Sequence, residues 1–181
     1  MSASASSADR LTALLPGASV TTAHGVVTAD VPREEWVAAV EAVRDDPELD
    51  GTFFDCLVVV DQLPGGFEVV VRLWSVARRS GVHLRTRCPR EEPTVPSLVG
   101  VFAGASWHER QAAEMFGVDF SGSPDRRPLL LPEGGVVHPL RKSTRLAARS
   151  AVPWPGAEDP AYSGEGGRPP RRRLTPPGAA P

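Results

Sequence analysis

The 181-residue chain has two cysteines, Cys56 and Cys88, one lysine, Lys142, and neither isoleucine nor asparagine. Two thiols cannot supply a disulfide framework, a four-cysteine zinc site or an iron–sulfur cluster held by this chain alone, and a reducing compartment is the expected setting. Excess charge is also missing: 20 basic against 22 acidic residues leave a formal net charge of −2, so no bulk attraction to nucleic acid or to an anionic lipid surface is expected. The near-exclusive use of arginine reads as G and C coding bias rather than a demand for guanidinium groups. The longest mostly apolar stretch, Leu98 to Trp107, is broken by glycines and falls well short of the roughly 20 residues that span a bilayer. The Ser/Ala-rich start has no basic cluster followed by an apolar core, unlike a secretory signal, and retention inside the cell is expected.

With 41% apolar and 23% charged residues the composition is that of an ordinary globular protein. Composition divides the chain into a disordered N-terminus (1–8), a core of about 110 residues (9–120), an apolar but aperiodic strap (121–150) and a Pro/Gly/Arg-rich tail expected to be disordered (151–181). A docking extension is the sharper alternative for the tail. Its arginines have no interleaved aromatic residues for base stacking.

Within the core, Leu11, Leu14 and Leu15 suggest a short helical stretch ended by Pro16-Gly17, and Val20 to Ala29 reads as extended. Pro32 followed by Glu34 and Glu35, with Trp36, Val40 and Val43 on one face, predicts a helix ending near Asp45-Asp46-Pro47. Thr52–Val60 is nearly continuous in apolarity and predicts a strand central in its sheet or covered on both faces. A turn at 63–66 then leads into the alternating run Phe67–Trp74, its hairpin partner, while the polar face of Val82–Arg87 predicts an exposed or edge strand. Pro96 through Phe102 predicts one helical segment and Ser106–Phe116 another, stopped by Gly117. The expected fold is α+β, a three- to four-stranded mixed or antiparallel sheet with helices packed on one face, followed by the extended strap.

Common catalytic signatures are lacking. The chain has no G-x-G-x-x-G, no phosphate loop and no G-x-S-x-G, and His108-Glu109 has no second histidine four residues on. A cysteine paired with His24, His83, His108 or His138 stays open as a nucleophile, but Cys56 lies in the most apolar strand, where burial makes a thiol inert. Attention therefore falls on W-H-E-R-Q-A-A-E-M-F-G-V-D-F from Trp107, where Arg110 and Glu114 are helical i, i+4 neighbours and Glu109 shares a side with Ala113 and Phe116. A solvated helix face is the plain expectation, and an interface or site the alternative. In the following strap, Pro124, Pro128, Pro132 and Pro139 exclude a long helix or central strand. Leu129, Leu130 and Leu131, with Val136 and Val137, must lie on something, either the chain's own core or another protein.

Glu109-Arg110 through Glu114-Met115-Phe116-Gly117, the Arg127-x-Leu129-Leu130 that follows, and His138-Pro139-Leu140-Arg141-Lys142 resemble the signature of the C-type, or 30 kDa, subunit of NADH-quinone oxidoreductase (respiratory complex I). The likeness covers about Pro32 to Lys142 and departs at three places: Gln111 replaces the second glutamate of E-R-E, Ser123 the histidine of G-H-P, and Ser143-Thr144 an acidic-aromatic pair. The Pro-rich end is expected to mark a form not fused to the quinone-site neighbour.

The resemblance implies a non-catalytic subunit of the hydrophilic arm, peripheral on the cytoplasmic side of the cell membrane. It implies no cofactor on this chain; NADH, FMN, iron–sulfur clusters and quinone would be handled by other subunits. The D-type subunit, which helps form the quinone pocket, is the chief implied partner, with the B-type and the cluster-bearing subunits nearby. Glu109, Arg110 and Glu114 would fix the last core helices through charge-assisted contacts, His138, Arg141 and Lys142 would anchor the strap to a partner, and Arg127 and Pro139 belong to the same motifs as interface candidates. The same subunit in an energy-converting hydrogenase or formate hydrogenlyase, and a free-standing interaction module, are the alternatives.

Overall fold

A computed structural model describes residues 3–132 and 137–144, the first three by backbone alone. Helix α1 (Ala3–Leu14) leads into strands β1 (Ser19–Ala23) and β2 (Val26–Asp30) and helix α2 (Trp36–Asp45). The long strands β3 (Phe53–Gln62), β4 (Gly66–Ser75) and β5 (Ser80–Cys88) follow, then β6 (Thr94–Pro96), helix α3 (Ala105–Phe116) and β7 (Asp119–Ser121). Five strands form one mixed sheet in the order β1-β2-β5-β4-β3, parallel only between β2 and β5, and β6 and β7 form a separate parallel pair.

The alternation read in β4 explains the core. Leu57, Val71, Leu84 and Ala29 lie in register across four strands, and all four are buried. Together with Trp36, Ala39, Val40 and Val43 of α2, Leu11 of α1, and Ala105, Ala112, Met115 and Phe116 of α3 they form one apolar cluster. Helices thus cover one face of the sheet, as expected for an α+β fold.

Several local expectations are corrected. Helix α1 begins at Ala3, inside the 1–8 stretch expected to be disordered, and Arg10 pairs with the buried Asp46 at the end of α2. The extended run Val20–Ala29 is two strands, because His24 and Gly25 both take positive φ (51° and 77°) and close a tight hairpin that the twist of the strands favours. The sheet has five strands rather than three or four.

Strand β3 is an edge, not a central strand, and its burial alternates, with Val58 and Val60 exposed. Conversely β5, expected to be exposed or at an edge, lies between β2 and β4, with its polar side partly exposed. The reason is common to both strands: among the described residues no helix covers the sheet's second face, so a mid-sheet strand tolerates Arg85 and Arg87 there. Arg85 forms a two-point pair with Asp30 on β2, and Arg87 pairs with Glu68 on β4. Pro96 ends a strand instead of starting a helix, since Thr94–Pro96 pairs with Asp119–Ser121, and the next helix starts only at Ala105.

Candidate functional site

Helix α3 and the segment after it gather the motif residues. The helix is stopped by Gly117, which takes φ 70° and donates its N–H to the Ala113 carbonyl 2.8 Å away. That leaves the carbonyls of Glu114, Met115 and Phe116 without helical partners, and partners are needed where water is excluded. The strap supplies all three. His138 Nδ1 donates to the Glu114 carbonyl at 3.1 Å, the Leu140 N–H to the Met115 carbonyl at 3.2 Å, and Arg141 Nε to the Phe116 carbonyl at 2.6 Å. A cationic guanidinium at this end also complements the helix dipole.

Two further features hold the clasp shut. A Cβ on residue 117 would strike Arg141 Nη2 and His138 Nε2, so Gly117 is required for room as well as for its backbone angle. Arg141 and Arg90 each lie over the Phe67 ring, 5.3 and 4.8 Å from its centroid. Arg90 also pairs with Asp61, a buried carboxylate at the end of β3 that accepts the Lys142 N–H at 2.8 Å. Burial pushes the Asp61 carboxyl up, but the Arg90 and Lys142 contacts outweigh this and hold it below the ordinary carboxylate range.

The middle of α3 binds the earlier part of the strap. The Glu114 carboxylate accepts the N–H groups of Leu129, Leu130 and Leu131 at 3.3, 2.7 and 2.9 Å. Desolvation opposes its charge, but the three donors and Arg110 keep its pKa below normal. Arg110 donates to the carbonyls of Arg127 and Pro128 at 3.1 and 2.9 Å and faces Asp125 at 3.3 Å. Prolines leave carbonyls in this segment without neighbouring N–H groups, which Arg110 meets, while the proline-free run Leu129–Leu131 offers the N–H groups that Glu114, one turn on, accepts. Arg127 itself points to solvent and holds Asp125, whose pKa its guanidinium lowers strongly.

Glu109 contradicts the solvated-face expectation. It is 1% exposed, accepting from Ser97 Oγ at 2.7 Å and from the Leu98 N–H at 2.6 Å, and so ties α3 to the loop after β6. Burial raises its pKa, partly offset by these bonds and by the nearby Ser123 hydroxyl, which is buried without an aligned hydrogen bond. Arg110 and Glu114, expected as an i, i+4 pair, instead spend their hydrogen bonds on the strap.

The described strap therefore lies on the chain's own core. His138 and Arg141, expected to anchor it to a partner, anchor it to α3, and Lys142 reaches β3 through its backbone; Pro139 sits between the anchors. Residues 133–136 and 145–181, which include Val136 and the tail, lie outside the described residues. Reading the sequence missed Asp61, Phe67 and Arg90 as strap partners. The only available signal was parity, since position 61 falls on the buried side shared by Leu57 and Val59.

Among the described residues no three His, Cys, Asp or Glu side chains are grouped to hold a metal. Burial raises both thiol pKa values, disfavouring the thiolate at Cys56 and Cys88. A cleft of about 400 Å³ lies between α3 and residues 118–128, and its Arg110, Arg126 and Arg127 already face Asp125 or Asp119. No described helix is long and apolar enough to cross a membrane.

The NADH-quinone oxidoreductase C-type subunit of Roseiflexus sp. strain RS-1 is 40% identical over 148 residues, 80% of this chain and 85% of that protein. The fused C/D-type subunit of Methylococcus capsulatus is 31% identical over 148 residues, covering 77% of this chain and 25% of that longer protein. The fold matches a trypsin-resistant fragment of Nqo5 (TM-score 0.59, 23% identity, 68% of this chain and 99% of the fragment). It also matches a chain of a membrane-bound sulfane sulfur reductase, an archaeal respiratory membrane complex (TM-score 0.70, 20% identity, 80% of this chain and 86% of that one). Residues 29–150 match the family of the respiratory-chain NADH dehydrogenase 30 kDa subunit, and the chain belongs to that family.

Proposed function

We propose that this chain is a structural subunit of the hydrophilic arm of a proton-translocating NADH-quinone oxidoreductase, contributing no reacting group of its own. The observation that carries the reading is the use to which the motif residues are put. Glu109, Arg110, Glu114, His138 and Arg141 all bind backbone groups of this chain. Residues so engaged shape a surface rather than face a substrate. In such a complex NADH would be oxidised at FMN, and iron–sulfur clusters would carry electrons to quinone, all in neighbouring subunits. The chain would sit peripherally on the cytoplasmic side of the membrane, against the D-type subunit, with the B-type and cluster-bearing subunits nearby. A relative that joins the C and D parts in one chain supports that partnership.

The test is mild-detergent purification of the tagged full chain from its own membranes, with mass spectrometry of the co-purifying subunits and an NADH:quinone assay. The D-type subunit, cluster-bearing subunits and inhibitor-sensitive NADH:quinone activity are expected. The likeness to a chain of a different respiratory membrane complex gives the second reading, a related complex with another electron donor. Recovery of hydrogenase-type partners without FMN- and NADH-binding subunits would favour it.

A further inference from the structure

The strap is bound inward by its polar groups, yet it turns apolar side chains outward. Leu130 is 57% exposed, Val137 73% and Leu140 52%. Leu140 is the sharpest case. Its N–H is tied to the Met115 carbonyl, and the turn is closed by Arg141 N–H to the His138 carbonyl (3.2 Å), Thr144 N–H to the Arg141 carbonyl (2.9 Å) and Thr144 Oγ1 to the His138 carbonyl (2.9 Å). His138 holds φ 53°, a left-handed angle unfavourable for a residue with a side chain. A turn this constrained sets the direction of its outward side chains. A leucine and a valine turned half or more to water contribute little to the chain's own core, whereas a backbone fixed by hydrogen bonds removes an ordering cost from association.

We propose that the 137–141 turn is a docking knob, in which Leu140, supported by Val137, enters an apolar pocket of the D-type neighbour. This rests on the reading given under Proposed function. The identity of the occupant follows from chain continuity. In the relative that joins the C and D parts, one end of the C-like part must adjoin the D-like part. Of the two ends of the described chain, the N-terminal side exposes no large apolar residue before Val26, whereas the strap exposes three. The chain's own core is already occupied at this place by His138, Arg141 and Leu131.

The experiment compares the tagged full chain with Leu140→Asp/Val137→Ser and with Val76→Asp, purified from native membranes, with the D-type subunit quantified by mass spectrometry. Val76 is the control, exposed at 67% on the turn between β4 and β5. Because all three side chains are exposed, circular dichroism and melting of each isolated variant should match the parent. Recovery of the D-type subunit is expected to fall about tenfold or more for the double variant, the loss of one hot spot, and to stay unchanged for Val76→Asp. Equal recovery from parent and double variant, or equal loss with Val76→Asp, would overturn the knob while leaving the subunit reading intact. A parent that brings down no D-type subunit would overturn that reading and the proposed occupant together. A homodimer of the isolated parent abolished by the double variant would assign the surface to a second copy and overturn the proposal.

Discussion

The sheet with its helices and the strap that follows are held by different physics. Inside the sheet, Leu57, Val71, Leu84 and Ala29 meet across four strands, and the stabilisation comes from apolar area removed from water. The strap leaves Leu130 and Leu140 exposed, and apart from the side chains of Leu129 and Leu131 it is held by side chains of α3 and β3 that bind its backbone, together with its own His138 and Arg141 binding the end of α3. Apolar burial is indifferent to pH and repeats with a period. Polar clasping depends on charge and on single positions, so the two regions should fail separately.

The largest separation is expected from truncating the core. Leu84→Ala in the fully buried middle of β5 should cost about 2–5 kcal/mol and lower the melting temperature of the whole domain, strap included. Gly117→Ala should cost about 1–2 kcal/mol for the left-handed backbone alone, and more because its Cβ meets His138 and Arg141. Its signature would be early proteolysis within 137–144 while the far-ultraviolet circular dichroism of the sheet persists. Simultaneous loss of both would show that clasp and core are one cooperative unit.

Glu114→Gln should act more mildly, because a neutral amide still offers one acceptor to three N–H donors. Faster tryptic cleavage after Arg126, the Arg127–Pro128 bond being resistant, with little change in melting, is the expected readout. Acid should imitate it. Glu114 and Asp61 have lowered pKa values in the folded chain, so their contribution is present above the ordinary carboxylate range and lost as pH falls through the folded values.

Glu109 carries the opposite sign. Its raised pKa means that its contribution is complete below the unfolded value and is lost as pH rises through the folded one. Glu109→Gln keeps an acceptor for the Leu98 N–H and removes the buried charge, so it should flatten the rise in stability on mild acidification seen by thermal melting between about pH 7 and 4.5. An unchanged slope would remove Glu109 as its source.

Period and punctuation made much of the core legible in the sequence. Trp36, Val40 and Val43 mark α2, Phe67 to Trp74 alternate as β4, and Gly117 ends α3 where its φ requires glycine. Errors arose where tertiary context overrode the local pattern. An unbroken apolar run implies two covered faces, yet β3 leaves Val58 and Val60 open on a face that no described helix covers. Polar alternation implied an exposed or edge strand for β5; its polar side is open, and cross-strand pairs to Asp30 and Glu68 satisfy its arginines in mid-sheet.

The strap motif was visible as a family resemblance, whereas its physical role was not. Asp61 and Lys142 are 81 residues apart, and no local pattern encodes that a strap will cap the carbonyls of Glu114, Met115 and Phe116. Glu109 looked like one more charge beside an apolar stripe. Only the position of Ser97 and the Leu98 N–H explains its burial.

The central claim, that the chain clasps its own strap before any partner is present, is tested most directly by hydrogen–deuterium exchange on the isolated full chain. The amides of Leu129, Leu130, Leu131 and Leu140 should be protected in the parent, and in Glu114→Gln, with one acceptor left for the first three, at least one of those three should exchange faster while β4 stays protected. Exchange of all four in the parent at unstructured-chain rates, beside a protected β4, would contradict the account and assign the ordering of the strap to a partner.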